Sequence, residues 1–233
     1  MPPVNGKKFL ADQVAQLKAR VKAGEKVAVA FDVDNTLVDT RGRALAIGKM
    51  FDAANGTTYF KGKKRTQMGN DAKETSGLVG MTAAHAKKFS ALWFREFFKG
   101  ENYKNDTQIR QAIELAKRAG RAGADVYYVT ARTQSEEPFT IAQLAKAGLP
   151  TVDADFVVSK PKMSDKTPDY KAAELSKISE EYEFVGWFVT ESKKDIQGVK
   201  SKGAPVTSVL METKFSGEGN VGPDTPVWKV DVK

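Results

Sequence analysis

The chain contains no cysteine, and His85 is the single histidine among its 233 residues. The absence of cysteine excludes disulfide bonds, thiolate nucleophiles and cysteine-bound metals, and it leaves the redox compartment undetermined. With one histidine, a multi-histidine zinc site is excluded, and serine–histidine catalysis would depend on that residue alone. His85 lies in the segment MTAAHAKKFSALWFREFF, whose pattern is typical of an amphipathic helix, and we interpret it as a partly exposed helix residue.

Long hydrophobic runs are absent as well. No stretch of about 18 apolar residues occurs, so the sequence predicts no membrane span. The first 26 residues lack the apolar block of a signal peptide. We therefore expect either a cytoplasmic protein or an exported, periplasmic protein whose signal peptide is absent from this chain. Nothing in the sequence indicates an oligomeric state.

The formal charge is +8 at pH 7, so the protein should attract anions such as phosphates and nucleic acid. Lysines nevertheless occur in almost every segment, and KGKKR at 61–65 is the only tight cluster. This distribution favours a solvated, lysine-rich surface over a dedicated nucleic-acid patch.

Short apolar segments alternate with helical patterns along most of the chain. The segments have the composition of strands that are buried on both faces. Such alternation predicts parallel crossovers, and hence an α/β fold with a doubly wound, Rossmann-like parallel sheet between helices. The predicted strands are 27–31, 125–131, 153–159, 183–189 and 205–211, and helices are predicted from 7, 105, 136, 169 and 193. Asn105 or Asp106 is the expected cap of the second helix.

The region 41–104 interrupts the alternation and offers no convincing buried strand. We predict that it is a small, mainly helical cap insertion over the carboxyl edge of the sheet, and that 1–40 and 105–233 form the core. The glycine- and proline-rich tail is expected to end in an edge strand around Trp228 to Val232. Its segment GEGNVG is predicted to be a loop, because no helix follows it.

Two carboxylates, Asp32 and Asp34, come directly after the first buried strand. Like charges at this spacing repel each other and resist burial. A divalent cation or a shared proton would make them tolerable, whereas the alternative is that they cap the next helix or face water. Since ligands of such sheets bind at the carboxyl ends of the strands, Thr130 and Glu191 are expected at the same edge.

This ordered set resembles the haloacid dehalogenase-like (HAD) superfamily of phosphohydrolases. The superfamily's first motif, hhhhDxDxT, matches at Phe31 to Thr36, and its second, a strand ending in serine or threonine, matches at Val126 to Thr130. The resemblance covers about 25–40 and 105–210. The region 41–104 lies where this superfamily often carries a cap.

The third and fourth motifs match less closely. The third, a lysine that opens a helix, is met by Lys171 or by Lys166, and we prefer Lys171 because it opens the KAAEL helix. The fourth, GDxxxD, is met loosely, because Thr190 replaces the glycine and Glu191 the first aspartate, while Asp195 keeps its place. Either acid could be the direct metal ligand.

Arg132 and the following TIAQLAKAG segment look like the acid-phosphatase branch of the superfamily. That branch acts on many phosphomonoesters and is often secreted or periplasmic. Arg132 could clamp a substrate anion, and an outward-facing loop arginine is the alternative.

The resemblance implies a magnesium-dependent phosphomonoesterase that acts on small phosphomonoesters or nucleotides. Asp32 would form an aspartyl-phosphate, and Asp34 would protonate the leaving group and then activate water. Thr130 and the N–H of Ala131 would bind the phosphate, and Lys171 would neutralise it and keep Asp32 ionised. The expected ligands of Mg²⁺ are Asp32, Asp34, Glu191 and Asp195. An Asp32 side chain locked in an ion pair with a neighbouring lysine, in an empty cleft, would overturn this whole scheme.

Two other functions remain open. A nucleic-acid 3′-end phosphatase is favoured by the net charge but lacks aromatic residues interleaved with the lysines of 61–73. A non-catalytic module that binds phosphate or a partner is favoured by the altered fourth motif and opposed by the intact D-x-D-x-T.

Overall fold

The computed structural model describes residues 4–213, 216 and 219–232. The chain packs as two compact units. The first comprises the chain up to Leu37 together with Ile109–Val232, and we call it the core unit. The second, Val38–Gln108, is called the insertion unit. None of the helices in the described part of the chain combines the length and apolar composition that crossing a membrane requires.

The core unit contains a six-stranded sheet with the strand order β5-β4-β1-β6-β7-β8, in which every neighbouring pair is parallel. The strands of the chain are β1 (Val27–Phe31), β2 (Val38–Asp39), β3 (Thr107–Gln108), β4 (Asp125–Thr133), β5 (Val157–Lys160), β6 (Phe184–Thr190), β7 (Ser208–Glu212) and β8 (Val227–Lys229). The predicted α/β class with a doubly wound parallel sheet is confirmed. The edge strand of the tail is β8, slightly earlier than predicted, and residues 217 and 218 of GEGNVG lie outside the described residues.

Helices connect the strands of the core unit and dominate the insertion unit. They are α1 (Gly6–Lys22), α2 (Arg41–Asn55), α3 (Ala72–Leu78), α4 (Ala83–Glu96), α5 (Arg110–Arg121), α6 (Glu137–Lys146), α7 (Thr167–Glu181) and α8 (Lys193–Lys202). His85 lies in α4, as its pattern predicts.

Strand β1 lies in the middle of the sheet, and all five of its residues are buried. Ala28 and Ala30 on one face belong to a cluster with Tyr127 of β4 and Phe188 of β6. Burial on both faces explains why the strand is apolar throughout instead of alternating. Because β4 and β6 flank β1 in parallel, the carboxyl ends of all three strands meet at one edge.

The predicted cap of α5 is wrong. The helix begins at Arg110 after Ile109, which makes no side-chain capping bond. Thr107–Gln108 instead pairs antiparallel with Val38–Asp39, and the Asp106 carboxylate binds Arg43. A buried arginine needs a charged partner more than a helix end needs a cap, since the helix end can be solvated and the buried charge cannot.

Two buried arginines join the two ends of the insertion unit to its first helix. Arg41 donates from Nε and Nη2 to Asp39, both at 2.8 Å. Arg43 binds Asp106, and its guanidinium lies 4.5 Å from the centre of the Phe97 ring. The helices pack on an aromatic cluster whose members include Phe51, Phe60, Phe89, Trp93 and Phe97.

We predict opposite effects of alanine at two helical glycines of the insertion unit. A Cβ at Gly42 would lie 1.9 Å from the backbone oxygen of Asn105, whereas a Cβ at Gly77 would meet nothing within 4 Å. Gly42→Ala should therefore lower the free energy of unfolding by about 1–3 kcal/mol through overpacking. Gly77→Ala should leave it unchanged or raise it by about 0.4–1 kcal/mol. Urea titrations of both variants measure the difference, and equal stabilities would contradict the close approach at Gly42.

Candidate active site

Asp32 directly follows β1 and is buried, with both carboxylate oxygens engaged. Oδ1 accepts hydrogen bonds from Lys171 Nζ at 2.6 Å and from the backbone N–H of Val33 at 2.8 Å. Oδ2 accepts from the Thr190 hydroxyl at 3.0 Å. The backbone N–H of Asp32 donates to the carbonyl of Val189, which extends the pairing of β1 with β6. The side chain is thereby held at the carboxyl edge of the central strand.

Lys171 lies in the first half of α7 and is almost fully buried. Its Nζ is 2.6 Å from Asp32 Oδ1 and 2.6 Å from Asp195 Oδ2, so it bridges the two acids. Burial alone would lower the pKa of Lys171, but the attraction of Asp195 and Asp32 outweighs it and raises the pKa above the ordinary lysine value. Lys166, the alternative third-motif lysine, is an exposed residue at the start of α7.

Three acids, Asp32, Asp195 and Glu191, lie near Lys171, whose ammonium group carries one positive charge. Burial raises the pKa of Asp32 to about 6, although Lys171 opposes the shift. Burial, followed by the charge of Asp32, raises the pKa of Glu191 to about 8. Burial and the neighbouring acids therefore disfavour the ionised form of Glu191 at neutral pH.

Arg132, on β4, is buried and faces Asp34. Its Nη2 donates to Asp34 Oδ1 at 2.7 Å and its Nε to Oδ2 at 3.3 Å, while Nη1 donates to Thr140 Oγ1 at 3.2 Å. The expected outward-facing alternative for Arg132 is thus wrong. The side chain of Asp34 keeps 18% of its surface exposed, so the pair lies at the boundary between protein and solvent.

Thr130 and Ala131 follow on the same strand. Thr130 is buried, and its Oγ1 accepts from the backbone N–H of Arg132 at 3.2 Å, which leaves the hydroxyl proton available for a donor role. Ala131 is half-buried. The end of β4 therefore supplies a hydroxyl and the Arg132 guanidinium to the edge at which Asp32 and Asp34 lie.

Three hydroxyl groups that sequence reasoning did not assign organise the loop after β6. Thr36 Oγ1 accepts from the N–H of Glu191 at 3.1 Å. Thr190 Oγ1 accepts from the N–H of Ser192 at 3.1 Å, and Ser192 Oγ accepts from the N–H of Asp195 at 3.2 Å. Thr36 and Thr190 stood within the first and fourth motifs without an assigned role, and Ser192 had a signal of its own, since serine followed three residues later by an acid is a helix-start pattern.

The expected magnesium ligands have the chemistry of a metal site but are not grouped as a metal site requires. Within the described residues, no three histidine, aspartate or glutamate side chains are grouped so that they could hold a metal ion. Asp34 is engaged by Arg132, and both Asp32 and Asp195 contact Lys171. The donors are nevertheless carboxylate oxygens, the ligands that a hard divalent cation prefers. The chemistry of the donor set thus fits Mg²⁺.

Comparison with known protein families gives one match. The model described as "HAD superfamily, subfamily IIIB (Acid phosphatase)" matches residues 75–215. That span contains Thr130, Arg132, Lys171 and Asp195, whereas the D-x-D segment at 32–34 precedes it. No curated protein matches this chain.

Several solved structures share the fold at low sequence identity. A haloacid dehalogenase-like family hydrolase from Streptococcus pneumoniae, SP0104, superposes with a TM-score of 0.58 at 16% identity, over 88% of this chain and 94% of that one. Protein Tyrosine Kinase A (PtkA) of Mycobacterium tuberculosis reaches 0.60 at 16% identity, over 88% and 94%. CbbY from Rhodobacter sphaeroides, solved in complex with phosphate, reaches 0.53 at 16%, over 87% and 93%.

At such identities the structures support the fold, while the activity follows from the family. The family match spans well over half of the chain and includes the strand, lysine and acid that line the edge described above. This protein belongs to the acid phosphatases of HAD subfamily IIIB and is a hydrolase of phosphoric monoesters.

Proposed function

We propose that this protein is a magnesium-dependent phosphomonoesterase that forms an aspartyl-phosphate on Asp32 and acts on small phosphomonoesters or nucleotides. The observation that carries the proposal is the buried Asp32 carboxylate at the end of the central strand, 2.6 Å from Lys171, with a second carboxylate two residues later. Such a pair supplies a nucleophile and a proton-transfer group on opposite sides of a reacting phosphorus.

The ion pair between Lys171 and Asp32 is the contact that, in an empty cleft, would overturn the aspartyl-phosphate scheme, and it has two opposing consequences. It keeps Asp32 ionised, which a nucleophile requires, and it occupies Oδ1, which opposes attack through that oxygen. Oδ2 accepts a hydrogen bond from the neutral Thr190 hydroxyl, which is a weaker partner than an ammonium group. We therefore assign the attacking role to Oδ2, with Lys171 remaining on Oδ1 and Asp195.

In the first step, Asp32 Oδ2 forms a bond to phosphorus while the bond from phosphorus to the ester oxygen breaks. Asp34 gives its proton to that oxygen, so the leaving group departs as an alcohol. In the second step, Asp34 takes a proton from water, whose oxygen attacks phosphorus, and inorganic phosphate leaves as Asp32 is regenerated. The Thr130 hydroxyl, the N–H of Ala131 and Lys171 are the proposed partners of the phosphoryl oxygens.

Asp32, Glu191 and Asp195, with the backbone carbonyl of Asp34, are the groups that would hold Mg²⁺. When bound, the ion would polarise the phosphate and offset the negative charge of the acids. The raised pKa of Glu191 supports this assignment, because burial and the nearby charge of Asp32 disfavour the ionised form, which a bound cation would favour.

Arg132 is proposed to be a positioning residue rather than a clamp for the substrate. Its guanidinium is buried and makes two hydrogen bonds to Asp34 and one to Thr140. The two-point contact fixes the plane of the Asp34 carboxylate, which a single-point contact would not do. Arg132 would thus act on the reaction through Asp34.

Turnover of p-nitrophenyl phosphate tests the proposed function. The wild-type protein should lose activity with a chelator and regain it with Mg²⁺. Asp32→Asn should abolish turnover, and Asp34→Asn should slow it severely while phosphate binding persists. Acid-quenched wild-type protein should carry one phosphoryl group on Asp32 by mass spectrometry. Near wild-type activity of Asp32→Asn would exclude the covalent route, and phosphate binding without turnover in the wild type would identify a non-catalytic module.

Replacement of Lys171 should destabilise the fold far more than replacement of a surface lysine in the same helix. Lys171→Met leaves Asp32 and Asp195 buried without their shared cation, so we expect a loss of about 3–5 kcal/mol in the free energy of unfolding. Lys177→Met is the matched control, because Lys177 is exposed and pairs with Glu174 at the surface, and its loss should be at most about 0.5 kcal/mol. Urea titrations at pH 7 compare the two, and equal losses would argue against the buried bridge.

Steady-state kinetics of Arg132→Met distinguish a positioning residue from a substrate clamp. Loss of positioning should reduce kcat by about 100-fold with little change in KM, whereas loss of a clamp should raise KM. Arg121→Met, at an exposed arginine of α5, is the control. In an Asp34→Asn background, Arg132→Met should cause no further decrease in kcat, since its effect passes through Asp34. An undiminished second decrease would contradict the positioning role.

A further inference from the structure

The positive charge of the protein is concentrated in the insertion unit. Residues 38–108 contain 13 of the 37 lysines and arginines but only 7 of the 29 acidic residues, which places about three quarters of the net charge of +8 in this unit. A charge of one sign at this density attracts extended polyanions.

Most acidic side chains of the insertion unit already have local partners. Asp39 binds Arg41 and Arg65, Asp106 binds Arg43, Glu96 binds Arg95 and Lys99, and Asp52, Asp71 and Glu74 accept from nearby backbone N–H groups. In the part of the chain that the structure describes, no salt bridge joins an acid to Lys61 or Lys63. The charges of these two lysines are therefore not cancelled internally.

Hydrogen bonds to Asp52 fix the conformation of the loop that carries these lysines. The Asp52 carboxylate accepts hydrogen bonds from the Thr57 hydroxyl at 2.6 Å, from the N–H of Tyr59 at 3.0 Å and from the N–H of Phe60 at 2.7 Å. Gly62, between the two lysines, adopts a φ of 71°, which favours glycine. A loop that is already ordered loses little conformational entropy on binding a ligand.

A cavity of about 470 Å³ opens beside this loop, and we call it the insertion pocket. Its volume is within the usual range of ligand sites, about 300–1,000 Å³. It is lined by Thr57, Thr58, Tyr59, Lys61, Lys63 and Val79. No acid is among these residues, so the pocket offers ammonium donors together with one aromatic ring.

Tyr59 is fixed by a contact with the one histidine of the chain. The Tyr59 hydroxyl is 2.8 Å from His85 Nδ1, and the two rings are T-shaped with centroids 5.6 Å apart. The tyrosine is thus a half-buried ring held next to two lysines. This is the aromatic partner that the segment 61–73 lacks by itself, and it lies two residues before that segment.

We propose that the insertion pocket binds single-stranded nucleic acid, with Lys61 and Lys63 on backbone phosphates and a base stacked on Tyr59. Lysines contact phosphate as point charges, and an aromatic face accepts any base, so binding should be independent of sequence. A polyanion is preferred to a mononucleotide because the charge of the whole insertion unit adds to that of the pocket. This binding site is separate from the phosphatase chemistry proposed above and does not require it.

Fluorescence anisotropy of a labelled oligothymidylate of twelve nucleotides, without a terminal phosphate and in the presence of a chelator, tests the proposal over a salt series. Without a phosphomonoester there is no substrate, so the result does not depend on phosphatase activity. For Lys61→Gln/Lys63→Gln, the slope of log K against log salt should become less negative by about 1.4, because two phosphate contacts are lost. Tyr59→Leu should weaken binding by about tenfold, whereas Tyr59→Phe, which keeps the ring, should weaken it much less.

The matched control is Lys87→Gln/Lys88→Gln, which removes the same charge from exposed positions of α4. This control should change the slope of log K against log salt only slightly. Equal changes in both double variants would overturn the proposal in favour of a diffuse lysine-rich surface, as would absence of binding at 50 mM salt. Displacement of the oligonucleotide by inorganic tripolyphosphate, together with no effect of Tyr59→Leu, would overturn it in favour of a site for phosphate groups alone. Thermal melting of each variant verifies that it is folded.

Discussion

The site of this protein depends on one ammonium group held between two buried carboxylates. Lys171 contacts Asp32 and Asp195 at the same distance, and each acid comes from a different strand-to-helix connection. Without that cation, the central strand would end in a buried negative charge that the core could not accommodate. The same contact keeps Asp32 ionised and places the lysine where a phosphate group would need a positive charge. Structural stability and proposed chemistry thus make opposing demands on a single residue.

The parallel sheet makes this arrangement possible, because β4, β1 and β6 are neighbours and end at the same edge. Residues from the first, fourth and sixth strands therefore meet although more than 150 residues separate Asp32 from Thr190. Hydroxyl groups then join the loops: Thr36 binds the backbone of Glu191, and Thr190 binds both Asp32 and Ser192. A glycine at position 190, the residue that the superfamily pattern favours, would lack the hydroxyl that binds Asp32 Oδ2.

Charged residues have different roles in the two units. In the core unit, buried ions lie at the functional edge, where Lys171 and Arg132 each bind acids of the D-x-D segment. In the insertion unit, the buried arginines Arg41 and Arg43 bind Asp39 and Asp106, the acids at its two ends. These ion pairs hold both ends of the unit against its first helix. The remaining lysines of that unit are at the surface, where charge contributes to ligand attraction more than to folding.

The sequence by itself determined the alternation of buried strands and helices, the burial of 27–31 on both faces and the identity of Asp32 and Asp34 as the acids of interest. These features are local, since periodicity, apolar runs and a short motif are readable without knowing what packs on them. It also favoured Lys171 over Lys166, but for a reason that proved wrong, because Lys166 lies at the start of α7 and Lys171 lies inside the helix. Only the tertiary structure decided the partners: Arg132 faces Asp34 instead of solvent, and Asp106 binds Arg43 instead of capping α5. Each of these depends on the desolvation of a charge or on a contact between distant segments, and neither is encoded in the spacing of neighbouring residues.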